Sequence, residues 1–166
     1  RRLRPINARR LELLNGVLAA TGDRVPRLED LLDAFARPFF ECHADPEQSV
    51  PLRRTMARVL MAADSVATPL FENELLPMAH RFAIAISQAR PDLTFRHIVF
   101  GLMLFAGGMV NMLASRGRFQ VLGPALGGVP DDEESLRVLV RHGVAGMLAL
   151  AGRPFESAPD VCRKEA

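Results

Sequence analysis

Apolar residues recur along most of this chain at the three-to-four residue spacing of helices, and no stretch alternates convincingly in the two-residue rhythm of a strand. The pattern predicts a first helix from about Ile6 to Ala20, with Pro5 near its start and an apolar stripe of Ile6, Leu11, Leu13, Leu14, Val17 and Leu18. Thr21-Gly22-Asp23 stops it. A second helix starts near Pro26 and carries Leu28, Leu31, Leu32, Phe35, Phe39 and Phe40, with Pro38 expected to kink it or end its regular part. After a polar link from Cys42 to Ser49, a third helix is predicted over Pro51 to Ala63, marked by Leu52, Met56, Val59 and Leu60.

The fourth helix, about Pro69 to Ala89, has a clear period in Phe71, Leu75, Met78, Phe82, Ala85 and Ile86, and Pro77 should bend it. Arg90-Pro91-Asp92 ends it. A fifth helix runs from Asp92 or Thr94 to about Ser115. Residues 116 to 130, rich in Gly and Pro, read as a loop. The sixth helix opens at Asp131, which has the chemistry of an N-cap, with Glu134 three residues on and an acidic run suited to the positive end of the helix dipole. It continues to about Ala151, and a polar tail, residues 152 to 166, follows. The expectation is one all-α domain, residues 1 to 151, of about six helices in an orthogonal or antiparallel bundle with a two-helix dimer face.

The last two helices set this chain apart. Ile98 to Val110 has no charged or strongly polar side chain, and neither has Val144 to Ala151. A helix apolar all round must be covered on every side. A central helix in the domain accounts for one of them more readily than for two. A membrane span is the other explanation, but the uncharged run falls short of the roughly 20 residues a bilayer needs. Pairing with a second copy is the preferred reading, both helices of each subunit forming a four-helix interface under two-fold symmetry. The residues expected in it are Phe105, Gly108, Met109, Met112, Leu139, His142, Gly143, Gly146 and Met147.

Composition narrows the function only a little. The 166 residues carry 21 basic against 19 acidic side chains, net +2, so bulk charge gives no case for a nucleic-acid surface. Apolar residues make up 49%, ample for a packed core. Cys42 and Cys162 are too few and too far apart for a disulfide framework and fit a reducing cytoplasm. The opening Arg1-Arg2-Leu3-Arg4 lacks a methionine, so a preceding segment is expected.

Catalytic chemistry finds little support. Cys42-His43 has no second half at metal-ligand spacing, and His80 and His97 lie on different helices. No glycine-rich phosphate loop follows a strand, and no Ser, Cys or Thr has an identifiable base. No enzyme activity, metal or cofactor is expected. Ten Phe and seven Met, without Trp or Tyr, are more informative. Met is flexible and polarizable and packs well on aromatic rings. Phe35, Phe39, Met56, Leu60, Phe71, Leu75, Met78, Phe82, Phe100 and Met103 suit either a filled core or a cavity for an apolar small molecule.

The segments Pro5-Ile6-Asn7-Ala8-Arg9-Arg10-Leu11, Leu31 to Pro38, Phe71 to Phe82 and Ala89 to Leu93 resemble the C-terminal regulatory domain of tetracycline-repressor-like transcription regulators. The resemblance covers most of Arg1 to Ala151. It implies a cytoplasmic homodimer, paired through its last two helices, that binds a small apolar effector among its middle helices. It implies contact with DNA through an N-terminal helix-turn-helix head outside this sequence, repression as the expected mode, and no membrane partner. Two other readings stand beside it: a helical homodimeric scaffold, and a small helical enzyme using the Phe/Met cavity.

Overall fold

The computed structural model describes residues 3–41, 55, 56, 58, 65 and 67–151, and no strand occurs among them. Helix α1 spans Leu3–Thr21 and α2 spans Leu28–Glu41. A short α3, Ala67–Leu70, leads through a π-helical segment, Phe71–Leu75, into α4, Leu76–Ala89. Helix α5 spans Phe95–Ala114, α6 Arg116–Leu126 and α7 Asp132–Leu150. The helix predicted over 51–63 lies largely outside the described residues, though Thr55, Met56 and Arg58 are helical. The Cys42–Ser49 link, Leu60, Cys162 and the tail from Gly152 also lie outside them.

Helix α2 is the centre of the bundle. It packs against α1, α4 and α7. Leu31, Leu32 and Ala36 are fully buried, and Leu28, Ala34, Phe35, Phe39 and Phe40 nearly so. The helix is amphipathic as its sequence reads, with Glu29, Asp30, Asp33, Arg37 and Glu41 left half-buried or exposed. The helix continues through Pro38 to Glu41. Half-buried Arg37 is fixed by charge: a bidentate pair with Asp33 at 2.6 and 2.8 Å, and bonds to Glu133 of α7 at 3.1 and 3.3 Å. The Arg37 pKa is raised above its ordinary value, first by the hydrogen bond to Asp33 and then by that to Glu133.

Prolines and caps place the remaining breaks. Pro77 has no N–H, and the helix ahead of it widens to a π turn in which Leu76 N–H donates to the Phe71 carbonyl, five residues back. The Glu74 carbonyl takes its donor from another helix, Asn7 Nδ2 at 2.6 Å. Arg4 of α1 also pairs with the Glu74 carboxylate at 2.8 Å. The bend expected at Pro77 is thus a π segment docked on α1. Thr94 caps α5 by accepting from His97 N–H at 3.2 Å. Asp131 caps α7 by accepting from Glu134 N–H at 2.7 Å, the N-cap its sequence predicts.

Residues 116–130 differ from the expected loop. Most of them form α6, packed on α5 and containing Pro124. The glycines mark its end rather than prevent it: Gly127 takes the left-handed conformation, φ 74°, and Gly128 N–H donates to the Gly123 carbonyl at 2.9 Å. Helix α6 shows no apolar stripe because it buries so little. Phe119 is half-buried, whereas Val121 is 80% exposed.

Candidate effector cavity and outer face

An apolar cavity of about 230 Å³ lies among α1, α2, the π segment, α4 and α5. Helix α4 supplies Met78, and Ala79 and Ala83 one turn apart on one face. Helix α5 supplies Phe95, Val99, Leu102, Met103 and Ala106, again a single stripe. Phe35, Met56, Phe71 and Leu75 close further sides. The alanines give the space its existence, because at those positions the wall carries only methyl groups. The mouth is apolar too: Leu76, Phe95 and Met103 are each half or more exposed, and the exposed His80 ring sits 6.3 Å from that of Phe95.

Arg10 is the charged group in the described wall, and it is 1% exposed. Its Nε donates to the Phe35 carbonyl at 2.6 Å, Nη1 to Asn7 Oδ1 at 3.3 Å, and Nη2 lies 3.7 Å from Met109 Sδ. Its guanidinium carbon stands 4.5 Å from the centroid of the Phe35 ring. The charge is therefore directed into protein, while its flat face supports an aromatic wall residue.

Of the predicted lining residues, Phe35, Met56, Phe71, Leu75, Met78 and Met103 stand on the cavity. Phe39 and Phe82 are buried in the core instead, Phe82 packing edge-on to Phe35 with centroids 5.1 Å apart. Phe100 lies on another face of α5, 45% exposed beneath Arg96. Leu60 lies outside the described residues. Arg10, Ala79, Ala83, Leu102 and Ala106 were not among the residues predicted. Phe95 and Val99 were missed as well, although with Leu102 and Ala106 they form a helical repeat, and the pairing of Met103 with Phe100 mixed two faces.

The residues expected between subunits divide between a seam within the chain and its surface. Phe105, Met109, Leu139, Gly143 and Met147 are buried inside the single chain, where α5 packs on α7. Gly143 lies so close to Phe105 that a Cβ would stand 2.5 Å from its ring, and one at Gly101 would stand 2.8 Å from Met147. Gly108 is half-buried against Leu139, and Met112 is half-buried against the core. His142 and Gly146 are exposed. The small residues bring two helices of one chain together, a use that spacing alone does not distinguish from contact between copies. Away from the cavity mouth, α5 turns Phe100, Leu104 and Asn111 outward, with Gly107 half-buried between them and Leu104 75% exposed. On α7, Val138, His142, Ala145 and Ala149 are among the exposed residues. Helix α5 has the length and mean hydropathy, 1.7, to cross a membrane, and half of that stretch is buried in the chain.

Residues 33–146 match the family model described as tetracyclin repressor-like, C-terminal domain. The chain belongs to this family. The match runs from α2 to α7 and so takes in most of the cavity and both apolar helices. Tetracycline repressor-like C-terminal domains are in general regulatory, bind small molecules and dimerise. Comparison with curated proteins finds no match.

Proposed function

We propose that this domain is the sensing and dimerising half of a cytoplasmic transcription repressor, releasing DNA when a small apolar effector binds. The observation that carries the reading is the cavity between α4 and α5, apolar at its wall and at its mouth. A second copy covers the outward stripe of α5 and α7, and helix-turn-helix heads ahead of α1 read a palindromic operator. The effector acts through its differential affinity for the DNA-bound and released arrangements. No catalytic step is assigned to the chain.

Thermal unfolding with a panel of small apolar compounds tests the sensing half, because a ligand that binds only the folded chain raises the melting temperature. No shift across a broad panel sinks it. The DNA half needs the gene product carrying about 50 upstream residues of helix-turn-helix. A compound found in the first screen should displace that protein from its operator in a mobility-shift assay. A complex indifferent to every such compound overturns the release mechanism.

A further inference from the structure

We infer that the cavity selects a neutral, flat aromatic molecule of one or two fused rings over charged or saturated molecules of the same size; this rests on the cavity being the effector site. Three observations lead there. The first is wall chemistry. Its lining includes three phenylalanines, Phe35, Phe71 and Phe95, and three methionines, Met56, Met78 and Met103. Aromatic edges and polarizable thioethers both interact more favourably with another ring than with a saturated chain.

The second is the fate of the charge in the wall. The Arg10 donors described above are directed to Phe35, Asn7 and Met109 rather than into the cavity. A carboxylate entering past the exposed His80 at the mouth would lose its hydration among apolar side chains, with the described Arg10 donors already engaged, and burying an uncompensated charge is costly. The third is size. An apolar cavity of about 150 Å³ accommodates benzene. At about 230 Å³ this one has room for a second fused ring, with the open mouth left for a short substituent. Ala79 and Ala83 of α4 and Ala106 of α5 line that space, and their small side chains leave room for a ring.

Calorimetric titration of the 166-residue chain with naphthalene, 1-naphthoate and decalin tests the inference. Naphthalene should bind at least about 100-fold more tightly than 1-naphthoate and at least about tenfold more tightly than decalin. Ala79→Phe, which fills the space from α4, should abolish naphthalene binding while leaving the far-ultraviolet circular dichroism unchanged. Should that variant fail to fold, Met103→Glu at the exposed mouth should still weaken binding at least about tenfold. Equal binding of naphthoate or decalin overturns the aromatic selectivity and leaves the effector reading standing. Naphthalene binding untouched by the folded variants overturns the location. If none of the three probes binds, the inference fails; the effector reading falls with it only if the wider apolar panel also fails.

Discussion

Arg10 grips Phe35 twice, stacking its guanidinium 4.5 Å from the ring centroid and donating Nε–H to the carbonyl of the same residue at 2.6 Å. The contact joins α1 to the central helix and forms part of the cavity wall. A planar fork is needed to satisfy both geometries, and lysine has none. Arg10→Lys should therefore destabilise the fold by about 1.5–3 kcal/mol, the range for a hydrogen bond to a charged group. Urea denaturation with an unchanged m-value reads this directly. A loss below about 0.5 kcal/mol would show that the ammonium group replaces the fork.

The glycines of the α5–α7 seam should rank in a definite order. A Cβ at Gly143 meets Phe105 carbons at 2.5 and 2.8 Å and Leu32 at 3.1 Å, all on buried side chains. At Gly101 the obstruction is the thioether of Met147, at 2.8 Å, which has more ways to move. Gly143→Ala should cost about 1–3 kcal/mol by overpacking, and Gly101→Ala distinctly less. At Gly146 nothing lies within 4 Å, so alanine there recovers helix propensity, up to about 1 kcal/mol. Thermal denaturation of the three variants checks the order, and a Gly143→Ala variant as stable as the parent would mean that the seam is looser than its geometry.

The tie from Arg37 to Glu133 makes one part of the stability depend on pH. The Glu133 pKa is lowered below its ordinary value, first by the hydrogen bond from Arg37 and then by its charge. A depressed folded pKa contributes stability above the unfolded value, near 4.3, and that contribution is lost as pH falls through the folded pKa. Glu133 is more than half exposed, so the contribution is small, below about 1 kcal/mol. Glu133→Gln should therefore lower the urea midpoint slightly at pH 7, with the difference closing between about pH 5 and pH 3. High salt should shrink it as well. A difference that grows on acidification would contradict the sign of the shift.

Periodicity located the helices that bury a stripe, and cap chemistry located the start of α7. It failed for α6, whose apolar Val121 is left in solvent and whose Gly and Pro punctuate a helix instead of preventing one. In the cavity, bulky residues such as Phe71 and Met78 were legible because large apolar groups advertise themselves. Ala79, Ala83 and Ala106 were not, since a cavity exists where side chains are small, and an alanine looks the same in either setting. Arg10 escaped notice because a buried cation reads in sequence as an ordinary surface arginine.

The outward stripe yields the prediction on which dimerisation depends. Leu104 is 75% exposed in the single chain, next in sequence to Phe105 of the α5–α7 seam, with Phe100 one turn before it. If a second copy covers it, the side chain is desolvated only in the dimer, and a carboxylate there would face the same group across the two-fold axis. Leu104→Glu should convert a dimer to a monomer in light scattering at micromolar concentration while the circular dichroism stays helical. Ile84→Glu, at an exposed apolar position on α4, provides the control, because it adds the same charge away from the stripe and should leave the mass unchanged. A parent chain that is already monomeric, or a Leu104→Glu variant that remains dimeric, would place the interface elsewhere, and the exposed Val121 and Leu122 of α6 would be the next surface to substitute.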